Sequence, residues 1–348
     1  MNHYLVERFK EKLDNCPISD YHGLINPGLT CYLNSILQVL FMTEDFREAV
    51  NRCRSEDSTT IDRQLRIIFA HLQKHLAKTN NLTKELGIIN KYKQRDAAEY
   101  LEKILCLTSP EASKIFRGEL THSATCLKCN ETNDSRGFFW LLPLTVEDLP
   151  HQTCSVVQNC SFNENNSYLF FRNAQKKMQA GSKNIQCLQE NGLEGFFKGE
   201  RVCRENKVYC NRCKEKQSAR FRCKMTQSPE ILTLLLKRFQ FDYKLRCYVK
   251  LHLNVEVPQT LHTQHCKYDL YALVNHFGSL TGGHYTAHIK SFETHTWYHF
   301  NDDRVNSVMP PLFGTRNTFL RSPTAYLLMY RKGYRPTKKP DKGLKQPH

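Results

Sequence analysis

The chain has 348 residues, 40% hydrophobic and 24% charged, with a formal net charge of +16 and fifteen cysteines. That length can bury a substantial core, and the ordinary composition argues against wholesale disorder. No apolar run reaches the roughly 18 residues of a membrane span, and the N-terminal MNHYLVERFKEKLDNC lacks the apolar centre of an export signal, so a cytoplasmic or nuclear monomer without membrane attachment is expected.

In chain order, residues 1–20 form an N-terminal extension. From Thr30, Leu33, Ile36, Leu37, Leu40 and Phe41 fall at i, i+3, i+4, i+7 and i+8, one apolar stripe that predicts a helix over 31–41 with Thr30 as its N-cap. IDRQLRIIFAHLQKHLA (61–77) and RDAAEYLEKIL (95–105) repeat the period, so the first ~115 residues read as a helical lobe. Beyond them GFFWLLPLTV (137–146), EILTLLLKRFQFDY (230–243), YDLYALVNHFG (268–278), GGHYTAHIKSF (282–292), HTWYHFND (295–302) and TAYLLMYRK (324–332) are strand-like, and predict a sheet rich in antiparallel pairs. Residues 151–185 are polar and Asn-rich, a predicted insertion. The final stretch, 331–348, carries seven Lys/Arg against one Asp, so much of the positive charge sits in a tail expected to be disordered over 333–348. No nucleic-acid-binding pattern accompanies the rest, and nucleic acid is not expected as a primary partner.

The odd cysteine count in a long chain points to reduced thiols, metal ligands or a catalytic thiol, not a disulfide scaffold. Two C-x-x-C pairs, Cys126 with Cys129 and Cys210 with Cys213, can supply four thiolates to one structural Zn2+. Their separation requires the fold to bring them together, and a redox role is the rival reading. Cys203 and His122 are reserve ligands.

Cys31 stands where a polar loop becomes a helix, and unpaired N–H groups at a helix start favour a thiolate. Its rival is plain core packing. A thiol nucleophile needs a base, and His284 follows two glycines that let backbone approach closely. If 283–291 and 296–302 pair as a hairpin centred on Glu293–Thr294, partner numbers sum to about 587. His284 then faces Asp303, with Asn301 diagonal to it on the same face and able to accept from the imidazole, while Asp302 points to the other face.

GLINPGLTCYLNSILQVLF resembles the cysteine box of the ubiquitin-specific proteases. YDLYALVNHFGSLTGGHYTAHIK, with WYHFNDDRV and AYLLMYRK, resembles their histidine box; QRDAAEYL (94–101) and LTLLLKRFQFDY resemble further family segments. The resemblance runs from about Tyr21 to Arg331. It implies an α+β, papain-like cysteine protease, residues 21–332, with a helical thumb (about 21–115), zinc-bearing β fingers (about 116–135 and 200–225) and an antiparallel β palm. It implies a thiol-dependent deubiquitinase that cuts the isopeptide bond after the C-terminal glycine of ubiquitin. Cys31 would be nucleophile, His284 general base, Asn301 the orienting residue, Asn26 the oxyanion donor and Asp302 an assisting neighbour. Asp96 and Glu99 would contact arginines of the ubiquitin tail, with a solvated face and a Glu99–Lys103 pair as the plain alternative, and Gly283 and Tyr285 would line the substrate. Pro27 and Leu29 depart from the small or polar residues usual beside the nucleophile. A protease for the interferon-induced tandem ubiquitin-like modifier and a weakly active ubiquitin-binding scaffold are the alternatives.

Overall fold

The computed structural model describes residues 21–52, 60–146, 186–198, 200–202, 207–243, 246–263, 266–279, 282–314 and 317–333. The expected extension (1–20), insertion (151–185) and tail, apart from Gly333, lie outside them, as does Cys203.

Helices Cys31–Met42, Glu44–Arg52, Asp62–Leu72, Asn80–Glu85, Ala97–Leu107 and Pro110–Ser113 make a mixed fold with the sheets that follow. All of Cys31–Met42 is buried. Its apolar stripe joins the core with Phe46, Phe69, Leu101 and Phe116, while Cys31, Asn34, Ser35 and Gln38 form a second, polar stripe at helical spacing. Thr30 sits at the N-cap position, but its side chain does not cap. The hydroxyl donates to Asn26 Oδ1 at 3.0 Å instead, because that amide oxygen lies directly beside it. The helix expected over 61–77 stops at Leu72, since Ala77 is drawn into a bridge with Leu24. Ala97–Leu107 begins where Asp96 Oδ1 accepts from Ala98 N–H at 2.7 Å, a side-chain cap that satisfies one open donor of the first turn.

The central sheet runs Arg304–Ser307, Trp297–Asn301, Gly283–Lys290, Lys267–Gly278, Ala325–Lys332, Ile231–Lys237 and Leu142–Thr145, with Thr260–His262 paired to the side. Its pairs are antiparallel except the last, Leu142–Thr145 with Ile231–Lys237, which is parallel. Tyr285, Ala287, Ile289, Val274 and Met329 pack on the helical lobe. Leu273, Leu328, Tyr330, Leu234 and Leu142 fill a second core on the opposite side. The alternation of faces along each strand thus divides one sheet between two cores.

A second sheet has the order Thr132–Phe139, Gly118–Cys126, Ala219–Gln227, Glu200–Val202. The run 137–146 is therefore not one strand: it leaves this sheet at Phe139 and enters the central one at Leu142. Likewise 230–243 breaks at Arg238, which is fully buried and donates to the carbonyls of Ala325, Leu251, Leu253 and Ser322 at 2.6–3.2 Å.

Candidate active site

The start of the buried Cys31–Met42 helix meets the sheet at the N-terminal end of Gly283–Lys290. Cys31 is 1% exposed, and its Sγ accepts from Tyr285 N–H at 3.4 Å and from Gln94 Nε2 at 3.6 Å. Burial alone would push the thiol up, but His284, the Tyr285 amide and Gln94 outweigh it and hold Cys31 below the ordinary thiol value. His284 moves the other way, to about 9: its bond with Cys31 is the largest cause, opposed by burial and helped by Asn301. The two shifts run in the directions that favour a thiolate beside an imidazolium.

The hairpin register is the expected one, with Ala287–Phe300, His288–His299, Ile289–Tyr298 and Lys290–Trp297 as partners. The ladder ends at Ala287–Phe300, because the partner chain turns at Asp302 (φ 52°) and pairs Asn301 with Arg304; Asp303 lies in that turn and is not paired with His284 as the register alone predicts. His284 reaches across this open end, and its Nε2 lies 2.7 Å from Asn301 Oδ1, leaving Nδ1 for Cys31.

Asp302 points away from the histidine. Its carboxylate accepts from Asn26 Nδ2 at 2.9 Å and from Asn34 Nδ2 at 2.8 Å. Asn26 Oδ1 accepts from Gly28 N–H, Thr30 N–H and the Thr30 hydroxyl at 3.0–3.1 Å. The amide orientation is therefore set at both ends, and one Nδ2–H remains for another acceptor.

The four residues expected at substrate occupy different settings. Asp96 caps its helix and accepts from Tyr326 O–H at 2.7 Å, so both of its oxygens have partners within the chain. Burial pushes its pKa up, against the two hydrogen bonds that favour the charged form. Glu99 is exposed in the first turn of that helix, and Lys103, its expected partner, donates to the Leu86 carbonyl at 2.7 Å. A Cβ on Gly283 would meet the His276 ring and the Phe277 carbonyl. Tyr285 is buried, its ring 4.5 Å from His276 and 5.9 Å from Tyr326.

Sequence reading did not single out Gln94, Asn34, His276 or Tyr326. Gln94 heads the quoted QRDAAEYL segment, so its place was visible but not its contact with sulfur. Asn34 has a signal as well, being a polar residue one turn beyond Cys31 on the polar stripe of a largely apolar helix.

Far along the chain, the four cysteines of the two C-x-x-C pairs converge, with all Sγ atoms within 4.8 Å of one another. The Cys126–Cys213 and Cys129–Cys210 separations are 4.0 and 3.6 Å. A tetrahedral zinc site with Zn–S near 2.3 Å requires S···S edges of about 3.8 Å. The four residues fit that ion. In both loops the residue after the second cysteine, Asn130 or Lys214, takes φ 57°. The Asn130 and Lys214 N–H groups return to the Cys126 and Cys210 carbonyls at 3.0 and 2.8 Å. Two exposed pairs, Lys128–Glu215 and Arg212–Glu131, cross reciprocally between the loops. His122 is outside the cluster, in mid-strand opposite Ser135 and Cys223.

Residues 22–330 match the family described as ubiquitin carboxyl-terminal hydrolase. The chain belongs to that family. It is 27% identical to ubiquitin carboxyl-terminal hydrolase 47 of Drosophila melanogaster over 90% of this chain and 25% of that protein. Ubiquitin carboxyl-terminal hydrolase 48 of Danio rerio is 28% identical over 82% of this chain and 27% of its own length. Ubiquitin carboxyl-terminal hydrolase 12 of Salmo salar is 28% identical over 90% of both. The chain thus spans about a quarter of the length of the first two relatives. Their names are those of ubiquitin carboxyl-terminal hydrolases, and the cysteine–histidine pair described above lies inside the matched region. Among the described residues no helix is long and apolar enough to cross a membrane.

Proposed function

We propose that this chain hydrolyses the isopeptide bond between the C-terminal glycine of ubiquitin and a lysine amine. The observation that carries the reading is the meeting of Cys31 with a raised-pKa His284 that is itself held by Asn301.

The Cys31 thiolate attacks the glycine carbonyl carbon and forms a C–S bond. The displaced electron pair rests on the carbonyl oxygen, where the free Nδ2–H of Asn26 is available to donate. His284 gives its proton to the departing lysine nitrogen as the C–N bond breaks, leaving a thioester. His284 then takes a proton from water, the resulting hydroxide adds to the thioester, and ubiquitin leaves with a free carboxylate while the thiolate is restored. Asn301 keeps the imidazole plane aligned through both steps.

On this reading the helical lobe acts as thumb, the central sheet as palm and the outer sheet as fingers. The four-cysteine cluster is a structural Zn2+ site: four thiolates fill the coordination sphere, so the ion would brace the outer sheet. Glu99, exposed beside Asp96, would supply the negative charge for a basic tail, and its exposure supports that reading. The cytoplasm and nucleus, where cysteines stay reduced, are the compartments this chemistry suits.

The test is turnover of ubiquitin carrying a C-terminal aminocoumarin and of lysine-linked diubiquitin. Cys31-dependent release from both supports the reading, and release from neither overturns it. Release only from the coumarin conjugate of the interferon-induced modifier would replace ubiquitin by that modifier.

A further inference from the structure

We propose that Asn34 is a positioning residue for the oxyanion-binding amide of Asn26, acting through Asp302. This rests on the hydrolase reading above. Asn34 is 1% exposed within a helix that is buried along its whole length; its Oδ1 has no hydrogen-bond partner among the described residues, so the Nδ2 end alone ties the amide to its surroundings. Its Nδ2 spends both hydrogens, one on the Leu24 carbonyl at 3.2 Å and one on Asp302 Oδ1 at 2.8 Å. The other carboxylate oxygen of Asp302 accepts from Asn26 Nδ2 at 2.9 Å. One carboxylate therefore joins two amides, one rooted in the nucleophile helix and one in the loop before it.

The placement of Asp302 is built. It takes φ 52°, a left-handed conformation uncommon for a residue with a side chain. Its carbonyl accepts from Leu24 N–H at 2.8 Å, and Gly23 leaves no room for a Cβ against the Asp302 and Asp303 backbone. The turn is thus fixed to segment 23–26 through backbone and to the helix through Asn34. Rotation of the Asp302 carboxylate would turn Asn26 Nδ2, and with it the remaining N–H. The hydrogen bonds of Asn34 go to Leu24 and Asp302 and those of the Cys31 sulfur to Tyr285 and Gln94, so the effect of Asn34 on the reaction passes through Asp302.

The helix carries an internal control. Gln38, one turn further, donates from Nε2 to the His22 carbonyl at 3.0 Å. It secures the same extended segment without bonding Asp302. If Asn34 merely held that segment, loss of either amide would act alike.

The experiment measures kcat and KM on ubiquitin–aminocoumarin for the wild type, Asn34→Ala, Asn34→Asp and Gln38→Ala. The rate of Cys31 alkylation by iodoacetamide, which forms no oxyanion, is measured on each. Asn34→Ala is expected to lower kcat by roughly tenfold to a hundredfold, with KM within about twofold and alkylation unchanged. Gln38→Ala is expected to keep kcat within about twofold. Asn34→Asp sets a second carboxylate against Asp302. It should be impaired at pH 8 and regain kcat as pH falls toward 5, because one shared proton restores a donor where the amide was. That recovery also serves as the test should Asn34→Ala fail to fold. Equal kcat losses in Asn34→Ala and Gln38→Ala, alkylation falling in step with kcat, or no acid recovery in Asn34→Asp would overturn the inference. A wild type without turnover overturns the hydrolase reading and this inference with it; an active wild type with an unimpaired Asn34→Ala overturns this inference alone.

Discussion

His284 Nε2 lies 2.7 Å from Asn301 Oδ1, beyond Ala287–Phe300, the last paired rung of their hairpin. With no hairpin-ladder hydrogen bonds at that end, this contact and the bond to Cys31 set the imidazole plane. Asn301→Ala is expected to lower kcat by roughly a hundredfold, and Asn301→Asp, which keeps an acceptor, should retain most of the activity. Steady-state kinetics on ubiquitin–aminocoumarin check this, and an unimpaired Asn301→Ala would remove Asn301 from the site.

The thiolate–imidazolium pair predicts a pH window. His284 is raised from 6.5 to about 9, so it holds its proton up to that pH, and activity should fall above it as the proton needed by the leaving amine is lost. Cys31 is lowered, so the acid limb lies below the ordinary thiol range. The same shift bears on stability with a definite sign. The raised histidine contributes fully below 6.5, and that contribution disappears as pH rises through about 9. With its thiolate favoured by His284, the Tyr285 amide and Gln94, Cys31 should be modified by iodoacetamide ahead of the exposed Cys106. Equal rates at the two cysteines would mean that the pair does not form.

Gly283→Ala should damage the site from behind. The added methyl would enter the His276 ring, which is 1% exposed and sits among Phe239, Tyr285 and Tyr326. Overpacking of this kind typically costs 1–3 kcal/mol. A lower melting temperature together with at least a tenfold loss of kcat is expected. A fully stable and active variant would show that His276 can move.

Arg238→Met probes the break between Ile231–Lys237 and Phe239–Asp242. It would leave four carbonyls without their guanidinium donor, and burial already holds that group down to about 10. Orphaned buried acceptors cost about 1–3 kcal/mol each when no water replaces the donor. A loss of about 3 kcal/mol or more in urea unfolding is expected. A loss below about 1 kcal/mol would show that the carbonyls find other donors.

Cys210→Ser tests the metal cluster. Wild type is expected to hold one zinc per chain, and the variant to lose it and unfold at lower temperature. Unchanged metal content in Cys210→Ser would rule out four-cysteine ligation.

These cases show where the sequence was informative. The centre of the hairpin connection, Glu293–Thr294, fixes strand parity and so gave the register of Ala287–Lys290 with Trp297–Phe300, while the turn at Asp302 that completes the placement of Asn301 and Asp302 was not visible in it. C-x-x-C spacing carries its own geometry, and the fold had only to join the halves. Other features depend on contacts between distant segments. Asn34 and Asp302 are separated by 268 positions, and local pattern does not connect them. Nor does an apolar run reveal where it changes sheets, as between Phe139 and Leu142, or where it breaks, as at Arg238. The cap assigned to Thr30 failed for a similar reason: Asn26, four residues earlier, offers its hydroxyl a better acceptor.

The most direct test of the central claim is covalent capture by ubiquitin bearing a C-terminal electrophile, on the wild type and on Cys31→Ala, read by intact mass. One ubiquitin adduct on the wild type, located at Cys31 by peptide mapping and absent from Cys31→Ala, is the predicted result. An adduct that persists in Cys31→Ala, or a folded, zinc-loaded wild type that forms none, would contradict the assignment of Cys31 as the ubiquitin-directed nucleophile.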